Sequence, residues 1–186
     1  MKGFLIGILA GIAGLAGSVF MFLRLGLLSP SAARPPSTFE SKEAMKFLDA
    51  AVTRRAPGQG SRLAASDEDL LVGLRLYEAH CALCHGDPAN PSSAIGLAFY
   101  PRAPQFLQDA PDMPENQNFY IVKNGIRWTG MPGWGKVLSK EQVWKLTSFL
   151  AHMRDLPLAV EQEWKPAHPA KSSTPAMEER GANRHE

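Results

Sequence analysis

The sequence predicts a mostly α chain, with one N-terminal transmembrane helix followed by a small helical domain. Three observations carry this. Residues 3–23, GFLIGILAGIAGLAGSVFMFL, run 21 positions without a charge, about the ~20 that a helix needs to cross a bilayer. Two later segments, 66–80 and 139–153, repeat apolar residues at helical spacing behind a capping serine. Between them, Asp87 to Pro114 holds six prolines, which leaves the backbone little regular structure to adopt.

In chain order, the first element is an anchor over residues 1–28. A cleaved signal peptide is the alternative, with SAA at 31–33 as its cleavage site. Signal peptides carry an apolar region of only about 7–15 residues, so a retained anchor is expected. Small residues recur every fourth position (Gly3, Gly7, Gly11; Ala10, Gly14; Ala13, Gly17), a spacing that lets membrane helices approach closely. Residues 29–66 then read as a linker. It opens with the extended SPSAARPPST and closes with APGQGSRLAAS. Between these, Ala44, Phe47, Leu48, Ala51 and Val52 share one face of a helix that docks on the following domain or lies on a membrane surface.

The folded domain is placed at 67–156. Ser66, with Asp69 three residues on, signals a helix start, and Asp67, Glu68 and Asp69 set negative charge at the positive end of the helix dipole. Leu70, Leu71, Leu74 and Tyr77 follow at helical spacing, interrupted by Gly73. A glycine inside a helix costs about 1 kcal/mol against alanine, which points to a close approach by a neighbour. That neighbour is the last helix, where Ser139 and Gln142 form a capping box ahead of Val143, Leu146, Phe149 and Leu150. Residues 157–186, rich in proline, alanine and charge, read as a disordered tail.

The chemistry is concentrated in HCALCHGDP, residues 80–88. Cys81 and Cys84 are the only cysteines of the chain, and His85 follows directly. A structural zinc site needs four ligands, and there is no second CxxC or HxxxH. A thioredoxin-like redox pair needs a βαβ setting, and period-two alternation is missing around the motif. The third reading is covalent haem attachment, in which both thiols form thioethers with the haem vinyl groups and His85 ligates iron. A second axial ligand would separate these readings. Met131 sits in NGIRWTGMPGWG, residues 124–135, flanked by Gly130, Pro132 and Gly133, on a stiff loop where core-filling alone does not explain it. Met113, in the polar PDMPEN, is its rival.

With SDEDLLVGLRLYEAHCALCHG, YPRAPQF, GIRWTGMPGWG and SKEQVWKLTSFLAHM in this order, residues 67–156 resemble a small monohaem c-type cytochrome with His/Met ligation. The resemblance implies a cytochrome c fold wrapped around one covalently bound haem c, which supplies apolar mass that a domain of about 90 residues lacks. It implies that Cys81 and Cys84 hold the haem, that His85 and Met131 ligate its iron, and that the Pro104 carbonyl accepts the other ring N–H of His85. Gly73 and Tyr77 match the family's crossing of the last helix at Leu146 and Phe149. Arg102, Arg127 and Trp128 are candidates for the haem propionates, and Trp134 for packing over the haem edge. His80, His152, His168 and His185 are left without a ligand role.

Charge excludes one class. Residues 1–66 carry eight Lys/Arg against three Asp/Glu and residues 67–156 eight against ten, so no basic patch for nucleic acid is present. Arg54, Arg55 and Arg62 would instead attract anionic lipid if their segment lies near a membrane. Positive residues do not orient the anchor, since Lys2 precedes it while Arg24 and Arg34 follow. Haem thioethers are made outside the bacterial inner membrane, so the resemblance implies a single-pass protein with its haem domain in the periplasm. The expected function is one-electron transfer in a respiratory chain, between redox partner proteins or membrane complexes. The alternatives are a haem subunit of a larger oxidoreductase and, from another class, a ligand-binding sensor or peroxidase in which Met131 dissociates.

Overall fold

The computed structural model describes residues 2–27, 30–58 and 65–165. Those residues are mostly helical and contain no strand. The chain divides into two compact units, residues 1–35 and Pro36 onward.

The first unit is built on helix α1, Lys2–Arg24, which is long and apolar enough to cross a membrane. All its described residues are exposed, as expected of a helix whose apolar surface needs lipid and not a protein core. Ser18 folds its hydroxyl back onto the Gly14 carbonyl at 2.9 Å, which satisfies that group within the helix.

The second unit is organised by the crossing of α3, Asp67–His80, and α7, Lys140–His152. Each begins as its sequence requires. The Ser66 hydroxyl accepts the Asp69 N–H at 3.2 Å. Ser139 and Gln142 close a reciprocal capping box, at 3.2 and 2.8 Å. Leu70, Leu74, Tyr77, Val143, Leu146 and Phe149 are fully buried at the crossing, and the Tyr77 and Phe149 rings meet at 5.6 Å. Lys145 bridges the two helices, 3.0 Å from both Asp69 and Glu141.

Gly73 is what permits this approach. A Cβ there would lie 2.7 Å from the Phe149 Cβ and closer still to the Lys145 carbonyl oxygen. Backbone cannot swing aside as a side chain can, so Gly73→Ala must force the helices apart. Overpacking of this kind costs about 1–3 kcal/mol, against a helix-propensity gain of about 1 kcal/mol. Thermal unfolding is expected to fall by several degrees, roughly 4–8 °C per kcal/mol in a domain this small. A variant that melts higher than the parent would show that the crossing tolerates the methyl.

Two boundaries differ from the sequence expectations, and one helix is additional to them. The tail does not begin at 157, because Leu158–Trp164 forms helix α8 with Val160 and Trp164 in the core. The Trp164 ring packs edge-on against Phe149 at 5.1 Å and Tyr77 at 6.0 Å. Leu156, Val160 and Trp164 already stood at four-residue spacing, but the polar composition of the whole segment outweighed them; the expected tail beyond 165 lies outside the described residues. The linker over 29–66 is not all linker either. Helix α2, Thr38–Arg55, buries Val52, half-buries Leu48 and Ala51, and bonds Thr53 to Gln117 of α6 (Glu115–Asn124) at 3.2 Å. The docking reading of α2 is therefore the observed one, although Phe47 faces solvent at 73% exposure. Finally, α6, just beyond the proline-rich stretch 87–114, is a further helix between α3 and α7, with Phe119 and Val122 in the core.

Candidate functional site

The Cys81–His85 stretch is a single helical turn at the end of α3. The Cys81 N–H caps α3 on the Tyr77 carbonyl at 2.8 Å, and its own carbonyl accepts the N–H groups of Cys84 and His85 at 3.0 and 2.9 Å. The short helix α4, Ala82–His85, results. Residues at i, i+3 and i+4 of a helical turn share a face, so Cys81, Cys84 and His85 are presented together. Tyr77 fixes the exit of the turn, its buried hydroxyl donating to the Gly86 carbonyl at 2.6 Å.

Both cysteines are unpaired. Burial, reinforced by Cys84, pushes the Cys81 thiol up to about 12. A redox CxxC works through a thiol whose pKa is lowered, so the environment opposes that reading. Among the described residues no three His, Cys, Asp or Glu converge as a metal cluster, so a zinc site of the usual composition is not formed there.

His85 is buried, and its Nδ1 lies 2.9 Å from the Pro104 carbonyl oxygen. A carbonyl can only accept, so Nδ1 carries the proton and the lone pair stands on Nε2. Burial also pulls the imidazole pKa down, against a smaller opposing effect of the Pro104 carbonyl. The ring is therefore neutral near pH 7, the state that can ligate a metal. The Phe106 ring stacks on it at 4.3 Å with an interplanar angle of 8°, and the Phe106 N–H bonds the His85 carbonyl at 3.0 Å.

The methionine loop closes on itself. Ile126 N–H donates to the Met131 carbonyl at 3.1 Å. The Met131 N–H donates to the Thr129 hydroxyl at 3.1 Å, and that hydroxyl donates in turn to the Ile126 carbonyl at 2.8 Å. Gly125 opens the loop at φ +71°, where a side chain would be strained and its Cβ would meet the Met131 oxygen at 2.7 Å. Met131 is thereby held half-buried against the core cluster. Met113 lies outside this loop, just before α6, its carbonyl bonded by Asn118 at 3.0 Å.

The remaining candidates are placed as follows. Trp128 is 87% exposed and adopts φ +62°, a left-handed conformation that bulky residues rarely hold. The Arg127 guanidinium sits 5.8 Å from its ring centroid. Arg102 is exposed. Trp134 is half-buried and its ring lies 4.7 Å from that of His80. His152 is exposed with Nδ1 near the Ser148 carbonyl, and His168 and His185 fall outside the described residues.

Sequence reasoning missed Phe106, Ser93 and Gln105. Phe106 was visible only as an apolar residue in APQF. Gln105 is 7% exposed and bonds both Cys84 and Ser93. Nothing in its local sequence separates it from a solvent-facing glutamine.

Residues 68–150 match the family model described as cytochrome c oxidase, cbb3-type, subunit III. No curated protein matches the chain. With the helical fold around the CxxCH turn, the match makes this region a small c-type cytochrome domain. Such a domain carries covalently bound haem c and transfers electrons. The chain's own chemistry fits that group, since it offers two unpaired thiols on one turn and a neutral imidazole with Nε2 as its only free donor.

Proposed function

We propose that this chain is a membrane-tethered periplasmic cytochrome c, anchored in the bacterial inner membrane by α1, which relays single electrons in a respiratory chain. The observation that carries the reading is the His85 to Pro104 hydrogen bond. It fixes the imidazole tautomer beside two cysteines at attachment spacing, the combination that axial ligation requires.

Cys81 and Cys84 would hold the haem as thioethers, and His85 through Nε2 and Met131 through its sulfur would ligate its iron. Bound haem supplies a one-electron iron couple, whose potential methionine ligation raises. The Pro104 carbonyl orients His85. The closed loop from Gly125 to Gly133 holds Met131, which as a ligand to the iron would keep small ligands out. Arg102, Arg127 and Trp128 stand as partners for the propionates. A second reading, a haem subunit of a larger oxidase complex, is favoured by the family match to a subunit of a membrane oxidase.

Met131→Ala separates these from a ligand-binding haem protein. It is expected to remove the far-red sulfur-to-iron band of the oxidised protein and to admit carbon monoxide in the reduced form. Met113→Ala is expected to do neither. Stoichiometric carbon monoxide binding by the unmodified protein would favour the sensor or peroxidase reading, and loss of the band in the Met113 variant alone would move the ligand to the other loop.

A further inference from the structure

We propose that Gln105 is a positioning residue that locks the Pro104 carbonyl onto His85 and so tunes the reduction potential. This rests on the axial role of His85 proposed above. The Gln105 side-chain amide is buried and makes three hydrogen bonds. Its Oε1 accepts the Ser93 N–H at 2.6 Å, and its Nε2 donates to the Ala103 carbonyl at 2.9 Å and the Cys84 carbonyl at 3.1 Å.

The two carbonyls are not arbitrary. The Cys84 oxygen belongs to the peptide unit that enters His85, and the Ala103 oxygen to the one that enters Pro104. One amide group therefore ties together the two backbone units on either side of the His85 to Pro104 bond. The Phe106 N–H closes the far side on the His85 carbonyl at 3.0 Å, and the Ala103 N–H holds the Gly96 carbonyl at 2.9 Å. Pro104, Gln105 and Phe106 are thus each bonded to the attachment turn, and the Gln105 side chain joins that turn to the backbone of its own segment.

The consequence for the iron follows from the donor strength of the imidazole. A ring N–H bonded to a fixed acceptor makes the opposite nitrogen a better donor, and such outer partners change metal affinity by 10–100-fold when lost. A stronger donor favours the oxidised iron. Releasing the Pro104 carbonyl therefore weakens His85 as a donor and shifts the couple towards reduction.

Gln105→Met keeps length and volume but removes all three hydrogen bonds. In covalently loaded, full-length protein it is expected to raise the reduced-to-oxidised ratio at a fixed mediator potential by about threefold, ~30 mV at 59 mV per decade for one electron. Gln105→Asn, too short to span both carbonyls, is expected to shift it in the same direction. Gly73→Ala is the control, because it loosens the helix crossing without touching this brace, and it should leave the ratio unchanged. An unchanged ratio in the loaded Gln105 variants, or an equal shift in the Gly73 control, overturns the proposal. If neither Gln105 variant loads haem, nuclear magnetic resonance of the unmodified protein decides. The Gln105 carboxamide protons should exchange far more slowly than those of exposed Gln108, and equal rates overturn the brace. Failure of His85 ligation itself would be read separately, as loss of the six-coordinate spectrum in the unmodified protein.

Discussion

Replacing both Cys81 and Cys84 by alanine is expected to convert haem that survives acid-acetone extraction into haem that extracts completely. In the proposed arrangement two covalent bonds would hold the group to one helical turn, and no solvent condition that merely unfolds the protein would break them. In the double variant only coordination by His85 and Met131 would remain, and acid protonates the imidazole and ends it. The effect is all-or-none because the two kinds of bond differ in type and not in degree. It extends to folding. A domain of this size buries a smaller share of its surface than a larger one does, and Cys81 lies in the core cluster with Leu74, Tyr77 and Ala82. The double variant is therefore also expected to unfold at lower denaturant, with a broader transition. Each single variant should retain one thioether and extract partly or not at all. Haem that extracts freely from the unmodified protein would remove the first step of the argument.

What the sequence revealed of this fold was what local chemistry writes into it. Ser66 and Ser139 cap their helices because a hydroxyl three residues ahead of an orphan N–H is a local arrangement. The Gly73 crossing was legible because a glycine in a strong helix has a cost that only a close neighbour offsets. Helix α8 was not, because its seven residues are stabilised only by burial of Val160 in the core and of Trp164 against Phe149 and Tyr77, partners distant in the chain. The same holds for α2. Its pattern placed Val52 and Phe47 on one face, yet Val52 is buried and Phe47 exposed, since α6 covers only the end of the helix. At the site, CxxCH and the Gly-Met-Pro-Gly loop announced themselves by residue type. Gln105 did not, because its partners are backbone carbonyls and an N–H, which every residue supplies. Nor did the left-handed Trp128, whose φ is imposed by a loop that no residue pattern specifies.

Supplying the part from Pro36 onward in dilute solution, in place of the full chain, is expected to cut electron transfer in native membranes by up to about a thousandfold. The part should keep its haem site. Helix α1 has no buried residue, whereas α2 belongs with the haem domain through Val52, the Thr53 to Gln117 bond and the Asn116 bond to the Pro57 carbonyl at 2.9 Å. The cut must therefore fall before α2; a part beginning near Ser61 would uncover that contact. Between Arg24 and Thr38 lie 13 residues, which at the ~3.1 Å per residue of a proline-rich linker would span about 40 Å. A short tether of this kind would hold the haem domain at an effective concentration on the order of millimolar near partners in the same membrane, against micromolar for free protein. Turnover measured against concentration of the truncated part distinguishes the two membrane readings. Recovery as the concentration approaches millimolar identifies a carrier whose anchor only confines it. Failure to recover at any concentration means that α1 makes contacts of its own within the membrane, through faces such as the Gly3, Gly7 and Gly11 row, and that the chain works as a fixed subunit of an oxidase complex.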